Sequence, residues 1–144
     1  MNAVSRLALT LAAVLLLGVG VVHAQASTYG TGCAGLGAEP TISFSGSTTP
    51  GSYGIVHLSG APAGALCVSI IGWDNTMFGG QEIPYDLTSF AGVNPGCLLW
   101  ANPNIALLLI NADPSGEIAF EFPVPSVLGE DLYFQWAVVE DVNS

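Results

Sequence analysis

Alternation of apolar with other residues in two segments near the C-terminus constrains the fold more than any other feature. The apolar positions are Ile118, Phe120, Phe122 and Val124 in residues 117–124, and Leu132, Phe134, Trp136 and Val138 in residues 132–139. Successive side chains of an extended chain point to opposite faces, so both segments are predicted to be strands. The opposite face of the first segment carries two glutamates and faces water. That of the second is only moderately polar, which favours a position in the interior of a sheet.

Six further segments are predicted to be strands because each is apolar or alternating and is bounded by turn-forming residues. They are residues 41–45, 53–59, 65–72, 83–87, 97–101 and 105–110. Residues 65–72 are apolar on both faces, which predicts a central strand, and the continuous apolar run 105–110 is predicted to be interior as well. Pro84 cannot donate a hydrogen bond to a ladder, so residues 83–87 are predicted to be a short edge strand.

The clearest turn is Asp113-Pro-Ser-Gly116, whose residue types fit a type I turn. It is predicted to join residues 105–110 and 117–124 as an antiparallel hairpin, and residues 125–129 are predicted to form a single helical turn. About eight short strands with regularly spaced turns are typical of an all-β fold. We therefore predict an antiparallel β-sandwich of the immunoglobulin-like or Greek-key type.

The N-terminus has the pattern of a secretory signal peptide, predicted to be helical. It contains Arg6, the only Lys or Arg of the chain, followed by the uncharged apolar run 7–22. Small residues allow cleavage after Ala24 or after Ala26, of which Ala24 is preferred. An uncleaved membrane anchor is the alternative, but the run is shorter than the roughly 20 residues of a spanning helix.

The chain is predicted to contain three regions. We predict a signal peptide at residues 1–24, a glycine-rich N-terminal arm at residues 25–40 and a β-sandwich domain at residues 41–144. The expected location of the processed chain is secreted, either extracellular or in the cell envelope, with no membrane association after cleavage.

The charge balance excludes several classes of partner. The chain has 11 acidic residues and one basic residue, for a formal net charge of −10, and loss of Arg6 with the leader makes it −11. Without Lys or Arg the processed chain cannot neutralise phosphates, so nucleic acid and anionic membrane surfaces are excluded as partners.

The three cysteines fit an oxidising compartment. Cys33 and Cys97 each follow a glycine in turn-like surroundings, whereas Cys67 lies within an apolar segment and has the character of a small core side chain. We predict a Cys33–Cys97 disulfide and an unpaired Cys67.

Five short motifs, in this order along the chain, resemble a group of secreted bacterial domains of uncharacterised activity. They are Tyr29-Gly-Thr-Gly-Cys33, Gly60-Ala-Pro-Ala-Gly-Ala65, Pro95-Gly-Cys-Leu-Leu99, Asp113-Pro-Ser-Gly116 and Tyr133-Phe-Gln-Trp-Ala-Val138. Domains of this group occur alone or at the C-terminal end of exported proteins. The resemblance implies an all-β sandwich and no established activity or catalytic residues. Cys67 is an additional cysteine relative to the pattern, which favours its being unpaired.

Catalytic constellations are not evident in the sequence, and we expect no enzymatic activity and no cofactor. His57 is the only histidine after the leader, and its alternation with Val56 and Leu58 places it on an outer strand face without a nucleophile motif. Glu117 and Glu121 share a strand face but lie roughly 13 Å apart, which exceeds the spacing that glycosidases use.

The sequence offers two kinds of candidate ligand site. Acidic and amide side chains at Asp74, Asn75, Asp113, Glu117 and residues 140–143 offer oxygen ligands for calcium, but the spacing of a calcium loop is missing, so no metal site is predicted. The aromatic side chains of the loop 73–90, Trp73, Phe78, Tyr85 and Phe90, can stack on sugars or enter a partner surface. Of these, Trp73, Phe78 and Tyr85 are the predicted ligand-binding residues.

These observations predict an exported, non-enzymatic structural or interaction module of the cell surface or extracellular space. The alternative is a carbohydrate- or calcium-dependent ligand-binding domain that uses the loop 73–90. The expected partner is a protein or a glycan at the cell surface, and the sequence leaves the oligomeric state open.

Overall fold

The computed structural model describes residues 25–30, 32–33, 39–89, 96–126 and 131–139. This part of the chain contains ten strands and no helix. They are β1 (Thr41–Gly46), β2 (Tyr53–Ser59), β3 (Leu66–Gly72), β4 (Met77–Phe78), β5 (Gln81–Glu82), β6 (Tyr85–Asp86), β7 (Leu98–Leu99), β8 (Ala106–Asn111), β9 (Ile118–Pro123) and β10 (Tyr133–Val139). The predicted leader at residues 1–24 lies outside the described residues, as do most of the predicted helical turn at 125–129 and the tail 140–144.

Two antiparallel three-stranded sheets form the body of the fold. The first has the order β1-β2-β9 and the second has the order β10-β3-β8. The prediction of an all-β antiparallel sandwich is confirmed, and so is the central position of β3. The interior positions predicted for residues 105–110 and 132–139 are wrong, because β8 and β10 are the outer strands of the second sheet among the described strands.

The core lies between the two sheets and is built from the alternating residues. Leu58 of β2, Cys67 of β3 and Ile118 of β9 are buried in one cluster, against which Trp136 and Val138 of β10 pack. Nearer the other end of the sandwich, the rings of Phe44, Phe122 and Phe134 meet, with 4.5 Å between the centroids of the last two. The inward face predicted for the segment 117–124 is therefore the face that the structure buries. In the segment 132–139 both faces are partly buried, since Tyr133 and Ala137 pack against the second cluster.

The turn Asp113-Pro-Ser-Gly116 connects the two sheets instead of closing a hairpin. β8 pairs with β3 and β9 pairs with β2, so the predicted hairpin is wrong. The turn packs on the β2–β3 connection, since the Ala61 N–H donates to the Gly116 carbonyl at 3.1 Å and the Gly64 N–H donates to the Asp113 carbonyl at 3.3 Å. A side chain at position 116 would collide with the Ala61 backbone, which explains the glycine there. Two connections thus cross between the sheets side by side.

Two short ribbons cover one end of the outer face of the second sheet. β4 pairs with β5 and β6 pairs with β7, and beneath them Ile70, Leu99 and Ala101 form a second buried cluster. Gln135 of β10 fixes this cover, because its side-chain amide accepts from the Trp100 N–H and donates to the Leu98 carbonyl, each at 2.8 Å. The short edge strand predicted at residues 83–87 is observed as β6, after a cis peptide bond before Pro84.

The N-terminal arm is attached to the ribbons by a covalent bond and by ring contacts. The disulfide Cys33–Cys97 is present, with 5.1 Å between the Cα atoms, and Cys67 is free and buried, as predicted. The Tyr29 hydroxyl donates to the Trp100 carbonyl at 3.1 Å, and its ring meets Trp100 and Tyr133 edge to face. Burial, with a smaller contribution from Tyr133, raises the pKa of Tyr29 to about 12.

Candidate functional site

Trp73 opens the loop that the sequence singled out for ligand binding, and its side chain is 42% exposed. Its backbone is fixed, since its N–H donates to Asn104 Oδ1 at 2.9 Å and the Asn102 N–H donates to the Asp74 carbonyl at 2.8 Å. Trp73 is therefore an exposed ring on a tightly held backbone, which is the kind of group that stacks against a ligand.

The other aromatic candidates of this loop lie elsewhere. The rings of Phe78 and Tyr85 are tilted against each other with centroids 6.0 Å apart, and both are half-buried. They pack on the cluster of Ile70 and Leu99 and so attach the ribbons to the second sheet. The structure therefore brings Phe78 and Tyr85 together but leaves Trp73 apart from them as an exposed ring, while Phe90 lies outside the described residues.

Two of the acidic candidates for calcium binding, Asp74 and Asp113, accept hydrogen bonds within local turns. Asp74 Oδ1 accepts hydrogen bonds from the side chain and the N–H of Thr76, and these bonds lower the pKa of Asp74. Asp113 Oδ1 accepts from the N–H groups of Ser115 and Glu117 at 2.8 and 2.9 Å. Within the described ranges, no group of three or more His, Cys, Asp or Glu side chains is placed to hold a metal ion.

His57 lies on the outer face of the first sheet, as its alternation predicts. Its Nε2 is 2.6 Å from the Ser45 hydroxyl on β1, and the Thr41 and Ser59 hydroxyls lie 2.9 Å apart on the same pair of strands. These contacts link β1 to β2 across an open sheet face. Two cross-strand hydrogen bonds thus lie on the outer face of the first sheet.

The outer face of the second sheet differs sharply from that of the first. Where the ribbons do not cover it, Leu66, Leu107, Leu109 and Val139 are exposed, and we call these four residues the leucine face. Leu107 and Leu109 of β8 are 58% and 69% exposed. The register places Leu66 opposite Val139, while Leu109 lies opposite Val68, so the face is contiguous across three strands. It carries no charged residue.

β8 also presents an open backbone edge beside the leucine face. The Ala112 N–H donates to the Ala65 carbonyl at 2.9 Å, and antiparallel bonds then alternate along the strand. The backbone N–H and C=O groups of Leu108 and Ile110 therefore bond to β3. Those of Leu107 and Leu109 point away from the sheet. Among the described strands β8 pairs with β3 alone.

The leucine face is not evident from the sequence, because residues 105–110 are apolar at every position. A continuous apolar run indicates that both faces of a strand are apolar, and burial on both faces is the usual reason. An edge strand with one exposed apolar face gives the same run.

A cleft opens between the sheets on the side of β1 and β10. It has a volume of about 970 Å³ and an apolar floor that includes Ile42, Phe44, Phe122, Leu132 and Phe134. Residues 25–29 of the arm and Asp131 also line the cleft. The two sheets are therefore packed tightly around Leu58 and Cys67 and less tightly around the phenylalanine rings.

Comparisons with protein-family models, with curated proteins and with solved structures gave no match. The resemblance to secreted bacterial domains accordingly stays a prediction. No described segment forms a helix of the length and hydropathy needed to span a membrane.

Proposed function

We propose that the chain is an exported, non-enzymatic interaction module that binds a protein partner through the leucine face and the adjoining edge of β8. The observation that carries the proposal is the exposure of Leu107 and Leu109 on an uncharged sheet face. Contiguous exposed apolar surface of this kind marks interaction sites, whereas single exposed apolar residues are normal.

Burial of the exposed leucines would supply part of the free energy that a contact requires. Fully burying a leucine side chain stabilises by about 1.5–3 kcal/mol, so covering the exposed parts of Leu107 and Leu109 would contribute about 2–4 kcal/mol. Association costs at least about 4 kcal/mol in lost freedom. Leu66, Val139 and the outward backbone groups of β8 would supply the remainder, since an added strand hydrogen-bonds to such an edge.

Two features support export as part of this proposal. The Cys33–Cys97 disulfide is compatible with an oxidising compartment outside the cytosol. The sequence of the first 24 residues has the pattern of a signal peptide.

Carbohydrate binding through Trp73 is the second candidate function. It is favoured by the exposed ring on a fixed backbone, beside Asp74 and Asn75, and it would use Trp73 without Phe78 and Tyr85. A glycan array distinguishes the two functions. Binding that Trp73→Ala abolishes and Leu109→Lys preserves would favour the glycan function.

Site-specific photo-crosslinking in the exporting cell tests the protein-binding function. A photoreactive phenylalanine derivative replaces Leu109, and in a control it replaces Tyr53, which is 60% exposed on the outer face of the first sheet. We expect a discrete protein adduct from position 109 and none from position 53. Absence of an adduct at position 109, or equal adducts at both positions, would overturn the proposal.

A further inference from the structure

We infer that the partner bound at this edge is a second copy of the chain, whose β8 pairs antiparallel with β8 of the first across a two-fold axis at Leu108. The inference rests on the proposed function, because it assigns the partner of the β8 edge and of Leu107 and Leu109 beside it.

The outward backbone groups of β8 fix which residues can pair. Leu107, Leu109 and Asn111 present their N–H and C=O groups away from β3, so a second strand must bond to these odd-numbered positions. A two-fold axis perpendicular to the sheet pairs odd-numbered with odd-numbered residues. Edge pairing of two identical strands therefore satisfies the open groups of both.

The register centred on Leu108 also matches the exposed side chains. It places Leu107 opposite Leu109 of the partner subunit, and Leu109 opposite Leu107 of the partner subunit. Directly opposite residues share one face of a sheet, so the four leucines would form two adjacent cross-strand pairs. The two second sheets would then join as one six-stranded sheet in the order β10-β3-β8-β8-β3-β10.

The charge distribution favours this contact over other contacts between copies. Each copy is strongly acidic, so two copies repel each other wherever their carboxylates approach. β8 has the sequence ALLLIN, without a charged residue, and without the lysine or proline by which edge strands avoid pairing. In the proposed register Asp113 faces Pro103 of the partner subunit, which keeps the two acidic turns apart. Added salt should strengthen the dimer, since it screens the remaining repulsion.

Analytical ultracentrifugation of the purified exported chain tests the inference, with Leu109→Lys as the variant. The matched control is Tyr53→Lys, which adds the same charge at an exposed aromatic residue of the other sheet. Either lysine makes the chain less acidic and so lowers the electrostatic repulsion between copies. Dissociation caused by Leu109→Lys would therefore report the loss of the contact itself.

We expect a monomer–dimer equilibrium that salt shifts toward the dimer. Leu109→Lys should weaken the dimer by up to about fivefold for each copy that carries it, because its cross-strand pair with Leu107 of the partner subunit is lost. Tyr53→Lys should leave the equilibrium unchanged or slightly tighter. Circular dichroism and the thermal midpoint check that both variants are folded, and Leu107→Lys serves as a second interface variant.

A monomer at every concentration, or equal weakening by Leu109→Lys and Tyr53→Lys, would overturn the inference. The mass of the photo-adduct at position 109 separates this failure from failure of the proposed function. An adduct with a different protein, together with a monomer in the centrifuge, would refute only the second copy. No adduct at all would refute both.

Discussion

Replacing Cys33 and Cys97 by serine removes the cross-link between the N-terminal arm and the segment that precedes β7. The bond joins residues 64 positions apart, and in the chain-entropy treatment a closed loop of that length stabilises the fold by roughly 4 kcal/mol. Domains of this size have unfolding free energies of about 5–15 kcal/mol, so the expected loss is a large fraction of the total. The hydrogen bond from the Tyr29 hydroxyl to the Trp100 carbonyl involves neither cysteine.

Urea denaturation measures this loss. Both proteins should carry Cys67→Ala, so that the buried free thiol cannot exchange with the disulfide. We expect the unfolding free energy of the double serine variant to fall by roughly 4 kcal/mol. The slope of free energy against urea should rise, because the unfolded chain without its cross-link exposes more surface. A loss below about 1 kcal/mol with an unchanged slope would refute an effect on the unfolded chain.

Three further substitutions test the core, the arm and the loop. Ser69→Ala should raise the unfolding free energy by about 1 kcal/mol in urea denaturation. The reason is that the Ser69 hydroxyl is fully buried and has no hydrogen-bond partner in the described part of the chain. A lower unfolding free energy of the variant would contradict this prediction. Tyr29→Phe should remove a tyrosine that titrates near pH 12 in the absorbance of the folded protein. The folded-state pKa of Tyr29 is raised from 10.0, so the contribution of Tyr29 to stability is present below pH 10 and is lost as pH rises toward 12. An alkaline absorbance titration that Tyr29→Phe leaves unchanged would refute this assignment of the pKa. Phe78→Ala should lower the unfolding free energy by about 2 kcal/mol and Trp73→Ala by less than about 1 kcal/mol, because only the first ring packs in a cluster. The reverse order would show that Trp73 is the packed ring.

Most strand positions were predictable because alternation is a local property of the sequence. β1, β2, β9 and β10 agree with the predicted segments to within one residue at each end. The position of β3 at the centre of its sheet was also predictable, since its two apolar faces need cover on both sides. The Cys33–Cys97 pairing followed from the glycines that precede both cysteines and from the apolar surroundings of Cys67.

The pairing of β8 and β9 was not predictable from the turn between them. Asp113 and Gly116 specify a chain reversal, which serves a hairpin and a crossing between sheets equally well. What decides the outcome is the contact of Gly116 with Ala61, which lies far away in the sequence and belongs to the other crossing connection.

The exposure of the candidate site residues was likewise not predictable from the local sequence. Trp73 is exposed, but the burial of Phe78 and Tyr85 depends on the ribbons that fold back over Ile70. Local sequence does not specify that packing. Likewise, nothing in residues 105–110 distinguishes a buried strand from an edge strand with Leu107 and Leu109 in water, because the difference lies in which strands stand beside it.

Amide hydrogen exchange along β8, followed by NMR at several protein concentrations, tests whether the β8 edge is open and whether it pairs with a second copy. We expect the amides of Leu108 and Ile110 to be protected at every concentration, because they bond to β3. The amides of Leu107 and Leu109 should exchange rapidly in dilute solution and become protected as the concentration rises. Equal protection of all four amides in the most dilute sample would contradict the open edge, and rapid exchange of Leu107 and Leu109 in the most concentrated sample would contradict its pairing with a second copy.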